Sequence, residues 1–482
     1  MRFDLLPRLL GLALVALIGF GCKTTAIQSA GESTSRGATA SKPPPLAVET
    51  FQTVWETVRD THFDTNFNGL DWNAVRETYL PRIEHARSNE EVRETIQSML
   101  DLLNVSHLRI IAGAPQRRTI RAQTNQAPAL TLNPGPTQSP PPMQKPIRTE
   151  AGSIGIEVRV LNEQIVVFQV EPDSPAAHAG VKPGWIIENI DGEPAVDATV
   201  KEAQVIERQR EFLLWHDAAG ALKGPAGEPC MLLVKTDSGE EKTVKIPRER
   251  ETGQPAKLGN LPTMFTKVST NEMTTASGKR VGYLSFNLWL IPAVAAIDRF
   301  VDANRNSDAI IIDIRGNLGG IGGMVVGVAG HFVNGRAPLG KMKMRENELN
   351  FTAFPRRVDL QMQPTNTFQG KLAIIVDALS LSSAELFAGG MQELGRARIF
   401  GQPTGGQALP AMSDRLPNGD LLYHAIADFN TPKGRRLEGN GVVPDEIVPL
   451  RLEALRAGID EPLQAALRWI DSTPQSGESD VK

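Results

Sequence analysis

The sequence predicts an α/β protein with a helical front and a mostly β middle. Three observations carry this. From Gly282 to Ile447, short β-rich runs (VGYLSF, AIIIDI, KLAIIVD, RARIFG) alternate with helical stretches, the pattern of an α/β core. Between Val48 and Ile111, apolar residues recur at helical spacing. Between residues 151 and 247, the runs IGIEVRV, QIVVFQV, CMLLVKT and KTVKI read as strands.

At 482 residues the chain has room for two to four domains, taking about 150 residues for each. It is 41% apolar and 22% charged, so it can bury a sizeable core. The net charge is −4, with no long basic run. That excludes nucleic acid as the main partner, because phosphate binding needs a concentrated Lys/Arg field.

Residues 1–22 read as a secretory signal: Arg2 and Arg8, then an apolar run from Leu9 to Phe20, too short to span a bilayer comfortably. Cys22 at its end resembles the acylated cysteine of a bacterial lipobox, although Gly19 stands where leucine is usual. The alternative is an ordinary cleaved signal. With Lys23 next, the expectation is an outer-membrane lipoprotein facing the periplasm, or a periplasmic protein. Residues 23–46 are rich in Ser, Thr, Ala, Gly and Pro and read as a tether. If Cys22 is acylated, Cys230 has no disulfide partner; in EPCMLLVKT it reads as a buried core thiol.

Residues 47–112 form the helical segment. Phe51, Val54, Trp55 and Val58 share one face, as do Val92, Ile96, Met99, Leu100 and Leu103. Residues 113–147, with NPGPTQSPPPMQKP, read as a Pro-rich linker. Residues 148–250 are the β-rich domain, 251–470 the α/β core, and 471–482 a disordered tail. The amphipathic stretch VIERQREFLLWHDAAGAL has no assignment from sequence.

Several chemistries lack their motif. There is no H-E-x-x-H and no paired C-x-x-C, so no metal site is expected. There is no G-x-x-x-x-G-K-[ST] and no G-x-S-x-G. DIRGNLGGIGGM is glycine-rich after a strand, but Val325 stands where the dinucleotide fingerprint needs its third glycine. No cofactor is expected.

ALSLSSAELFAGG crowds Ser380, Ser382 and Ser383 at the mouth of a helix. Ser382-x-x-Glu385 fits a capping box, which accounts for the pair without any chemistry. The same geometry suits a nucleophile. A serine at a strand-to-helix turn has free amides and the positive helix end beside it, and these stabilise an oxyanion.

The run ALSLSSAELFAGGMQELGRARIFGQPTGG resembles the signature of the C-terminal processing and tricorn-core serine peptidases, S-A-S-A-S-E. AIIIDIRGNLGG, RRLEGNGVVPD, GLDWNAVRETYLPRI and MLDLLNVSH resemble further segments of that family, in order from about residue 48 to 450. The resemblance implies a crotonase/Clp-like spiral ββα core, serine peptidase activity, and Ser382 as nucleophile. One branch activates its serine with a lysine 25 residues on; here that position is Gln407. The tricorn-like branch uses a histidine oriented by a serine and a glutamate, which implies His107, Ser106 and Glu438. Histidine titrates near neutrality and can accept and return the proton; none of the other six histidines sits in a comparable sequence setting. Taken alone, His107 also reads as an ordinary satisfied histidine. For the oxyanion hole the resemblance suggests the Gly319–Gly320 turn and the Ser383 amide, with Asp313, Arg315 and Asn317 as scaffolding.

GSIGIEVRVLNEQIVVFQVEPDSPAAHAGVKPGWIIENIDGEPA resembles a PDZ domain. It implies capture of a C-terminal carboxylate by the loop Ser153, Ile154, Gly155 and Ile156, with the tail added as a strand. Its alternative is a structural module. The expected partners are protein or peptide substrates with free C-termini, and a membrane reached through the lipid. Two rival functions stand beside the endopeptidase: an inactive tail-binding scaffold, and a peptidase trimming short peptides.

Overall fold

The computed structural model describes residues 43–113, 151–201 and 207–472. The leader with Cys22, most of the tether, the Pro-rich linker and nearly all of the tail lie outside the described residues.

Three helices open the described residues: Ala47–Thr61, Trp72–Glu84 and Asn89–Asp101. Asp71 and Ser88 cap the second and third, their side chains accepting first-turn amides. Phe51, Val54, Val58, Ile96 and Leu100 form the small core between them, as their spacing requires. The helical pattern does not run to Ile111. Leu108–Ile111 is a strand, paired antiparallel with Leu421–Ala425, whose other neighbour is Ala411–Arg415. Its β-branched pair Ile110-Ile111 suits that edge. The front of the chain is thereby stitched to the distant core.

The middle unit is an antiparallel sheet in the order Ile156–Leu161, Gln164–Val170, Ile186–Ile190, Pro229–Lys235, Glu241–Pro247. Ile156–Leu161 is its edge. The stretch without a sequence assignment is a helix, Glu207–Leu222, packed on that edge strand. Cys230 is fully buried in its strand, as expected, and burial pushes its thiol up to about 12.

The core holds a six-stranded sheet in the order Val268–Thr274, Arg280–Phe286, Ala309–Asp313, Lys371–Val376, Arg398–Gly401, Glu446–Ile447. Only the first pair is antiparallel. Both faces are covered, which explains why Ala309–Asp313 is buried along its whole length. Ile310 and Ile312 face helices Ile291–Ala303, Gly323–Ala329 and Ser383–Glu393, whereas Ala309 and Ile311 face helix Glu461–Asp471. This is the α/β architecture expected from the alternation.

Candidate active site

Strand Lys371–Val376 delivers the chain to Asp377 and the serine turn. Asp377 accepts the Leu379 amide at 3.0 Å, and its own amide bonds Ser380 Oγ at 3.0 Å. Ser380 donates its hydroxyl to the Ile314 carbonyl at 2.7 Å. Ser383 donates to the Gly320 carbonyl at 3.1 Å. Two of the three serines are thus occupied in holding the turn. Ser382, at the helix mouth, is only partly buried and has φ 52° and ψ −120°.

Glu385 reaches back to the Ser382 amide at 3.1 Å, as a capping box requires. It also accepts from Thr404 Oγ1 at 2.5 Å, Gly406 N at 2.8 Å and Gln407 N at 3.0 Å. Four donors on one buried carboxylate clamp residues 404–407 against the serine. Burial pushes Glu385 up to about 7, against the pull of those donors.

The 316–320 turn packs on the serine. A Cβ on Gly319, which has φ 90°, would lie 2.5 Å from the Ser382 Cβ; one on Gly320, at φ 143°, would lie 2.4 Å from the Trp289 carbonyl oxygen. Only glycine fits at either position. The Gly320 and Ser383 amides have no hydrogen-bond partner among the described residues. The Gly319 amide, expected to be free, instead donates to Asn317 Oδ1 at 3.0 Å. Asn317 is fully buried and pins the turn: its Nδ2 donates to the Phe286 carbonyl and its own carbonyl takes the Leu381 amide.

Ser106 and His107 sit just before strand Leu108–Ile111, with His107 at φ 60°. Glu438 Oε1 accepts the Ser106 amide at 2.8 Å, and Glu438 Oε2 accepts the Ser106 hydroxyl at 2.9 Å. Ser106 Oγ lies 2.6 Å from His107 Nδ1. The hydroxyl has one hydrogen, given to the carboxylate, so Nδ1 must donate to it. His107 Nε2 is then the bare nitrogen. It is buried and has no partner among the described residues. Burial lowers His107 to about 3 and raises Glu438.

The structure therefore groups the sequence-derived residues in two sets: Ser382, Ser383, Gly319 and Gly320 in one, Glu438, Ser106 and His107 in the other. Segment 404–408 joins them. The Gln407 carbonyl takes the Ser382 amide at 2.8 Å, and the Ala408 amide donates to Glu438 Oε2 at 3.0 Å. No hydrogen bond links Ser382 directly to His107.

Ser153, Ile154 and Ile156 line a cavity of about 830 Å³. Gly155 donates its amide to Ser153 Oγ at 3.1 Å. Edge strand Ile156–Leu161 and helix Glu207–Leu222 form two walls, and Leu288, Gly316 and Leu318 of the core are among the remaining lining. The 153–156 loop and the turn beside Ser382 thus share one space. Arg159, on that edge strand, donates from Nε to Asp377 Oδ2 at 2.7 Å, while Asp377 Oδ1 accepts the Gly316 amide at 2.9 Å. Neither Arg159 nor the helical wall was legible as functional, since nothing local in the sequence marks a partner more than 200 positions away. Among the described residues no cluster of His, Cys, Asp and Glu suits a metal ion.

Known proteins share this organisation. Residues 280–448 match peptidase family S41, residues 48–101 the tricorn protease C1 domain, and residues 152–210 a PDZ domain. The carboxyl-terminal-processing peptidase 2, chloroplastic, of Arabidopsis thaliana is 25% identical, over 83% of this chain and 68% of its own. The carboxyl-terminal-processing protease of Picosynechococcus is 23% identical, over 82% of this chain and 81% of its own. Among solved structures, the photosystem II D1 C-terminal processing protease superposes with a TM-score of 0.55 at 20% identity, covering 88% of this chain and 97% of that one. With the domain matches and the relatives in agreement, the chain is a serine-type peptidase with a family S41 segment and a PDZ domain, similar to the carboxyl-terminal-processing peptidases.

Proposed function

We propose that this chain is a serine endopeptidase in which His107, rather than a lysine, takes the proton of Ser382, and in which the PDZ groove holds a substrate's free C-terminal tail. One observation carries the reading: the Glu438–Ser106–His107 chain of hydrogen bonds, which ends on a bare Nε2. Ser382 Oγ attacks the scissile carbonyl and its proton passes to Nε2, directly or through one water. Glu438 offsets the imidazolium charge through Ser106. The Gly320 and Ser383 amides bind the oxyanion. His107 returns the proton to the leaving amine as the C–N bond breaks. Water then hydrolyses the acyl-enzyme with the same base.

The tail-capture reading is supported by the shared cavity: a peptide lying on Ile156–Leu161 has Gly316 and Leu318 alongside it. We further infer, from the leader and Cys22, a lipid-tethered protein facing the periplasm, or a periplasmic one. No helix among the described residues is long and apolar enough to cross a membrane.

A fluorophosphonate probe tests the chemistry, because only an activated serine reacts. The intact chain labels at Ser382, and Ser382→Ala and His107→Ala both abolish labelling. Labelling undiminished in His107→Ala would remove the base. A non-catalytic tail-binding protein is favoured by the lack of a direct Ser382–His107 hydrogen bond; it predicts no labelling in the intact chain either. Comparing peptides with free and amidated C-termini separates tail-directed cleavage from the trimming of short peptides. Only tail capture makes the amide a poorer substrate.

A further inference from the structure

Two buried acceptors at the site lack a donor among the described residues. One is His107 Nε2; the other is the side-chain oxygen of Gln407. Gln407 is 5% exposed and His107 fully buried. The Gln407 backbone amide donates to Glu385, and its backbone carbonyl accepts from the Ser382 amide. The sequence neighbours of both residues also meet at one atom. Glu438 Oε2 accepts both the Ala408 amide, next along the chain from Gln407, and the Ser106 hydroxyl that orients His107. A buried acceptor without a donor is uncommon in a folded protein, and two in one catalytic site call for a ligand that donates twice.

We propose that Gln407 Oε1 and His107 Nε2 together hold the water that hydrolyses the acyl-enzyme, each accepting one of its O–H groups. The assignment rests on His107 as the base. A water so held has two fixed hydrogens, leaving an oxygen lone pair for the ester carbonyl on Ser382. The water oxygen bonds to the acyl carbon while its proton passes to Nε2; the second O–H stays on Gln407. The tetrahedral intermediate collapses, the bond from acyl carbon to Ser382 Oγ breaks, and His107 returns its proton to Oγ. A carboxylic acid leaves, and the serine is regenerated. Gln407 gains and loses no proton, so an amide suffices where a base is not needed. Its task differs from that of Ser382 and His107 in serving the second half-reaction alone.

The test uses the full chain acetylated with p-nitrophenyl acetate. Intact-mass spectrometry follows the lifetime of the acetyl-enzyme after excess ester is removed. Replacing Gln407 by methionine keeps the length of the side chain and removes the oxygen. In Gln407→Met the acetyl-enzyme lives about tenfold longer or more, the effect of one lost contact to the attacking group. Fluorophosphonate labelling of Ser382, which needs no water, stays within about threefold of wild type. Gln407→Glu, which keeps an acceptor oxygen at that position, retains a lifetime near that of wild type. If Gln407→Met no longer labels, Gln407→Glu decides: a near-normal lifetime supports the assignment and a tenfold longer one overturns it. An unchanged lifetime in Gln407→Met overturns it as well, as does equal slowing of labelling and hydrolysis. His107→Ala keeps the two ideas apart. If that chain labels normally, the base assignment is wrong and the water site falls with it. If its labelling is lost while Gln407→Met hydrolyses normally, only the water site is wrong.

Discussion

Ser382 holds φ at 52° and ψ at −120°, a backbone shape that glycine adopts readily and serine does not. Such strain costs about 1–3 kcal/mol and collects where function needs a side chain lifted clear of its neighbours. Replacing Ser382 by glycine relieves it, against a loss of about 0.5–1 kcal/mol from the freer unfolded chain. Ser382→Gly is therefore inert and up to about 2 kcal/mol more stable than wild type, whereas Ser382→Ala is inert and unchanged. Guanidinium unfolding measures both, and a glycine variant less stable than the alanine one refutes the argument.

The neighbouring carboxylate sets the pH dependence. Glu385 rises from 4.5 to about 7, chiefly through burial. Its folded value lies above its free value. Stability from this group is thus complete below about 4.5 and lost as pH climbs to about 7. Activity runs the other way, since the ionised carboxylate best holds four donors. His107, lowered to about 3, is already neutral through this range. The kcat/KM profile of the free enzyme accordingly rises through about pH 7 because of Glu385, and in Glu385→Gln that step disappears while some activity survives. A step persisting near 6.5 in that variant would belong to histidine. The sequence displayed Ser382 and Glu385 as a cap; the other three donors were invisible, because they come from residues about 20 positions on.

Strands and turns meet at Asp377. Its carboxylate joins the PDZ edge strand through Arg159, the 316–320 turn through Gly316, and the serine turn through Leu379. Arg159 and Asp377 are 7% and 5% exposed, so removing the cation leaves a nearly dry carboxylate with only amides and the Ser380 hydroxyl around it. Breaking such a pair costs about 3–5 kcal/mol. In Arg159→Met, unfolding shifts by that order, and fluorophosphonate labelling of Ser382 slows about tenfold or more because both turns lose their shared anchor. Undiminished labelling would mean the knot serves stability alone. Elements of this kind were partly legible. The core strands declared themselves through continuous apolar runs such as AIIID, which only a sheet covered on both faces explains. Leu108–Ile111 did not, because a four-residue run after a helix carries too few repeats to separate one period from the other.

The proposed base, His107, is held in place because the front of the molecule docks on its far end. Arg93, in helix Asn89–Asp101, grips Asp420 with two bonds, Nε to Oδ2 at 2.9 Å and Nη2 to Oδ1 at 3.1 Å. Asp420 also takes the Gly113 amide at 2.9 Å, just past strand Leu108–Ile111. That strand pairs with Leu421–Ala425 and carries His107 at its head. Sequence order gave the parts of this arrangement through resemblance, while the clamp that closes it joins residues more than 300 positions apart. Asp420 is 2% exposed, so Arg93→Met strands a buried charge and loosens the seam. Hydrogen exchange at residues 108–111 accelerates, and turnover falls about tenfold or more as the imidazole loses its fixed position. The affinity of a free-acid tail peptide stays at the wild-type value, because its groove lies in another unit. Should exchange accelerate at the seam while turnover holds, the imidazole would not be delivered by this strand, and another group would have to take the serine's proton.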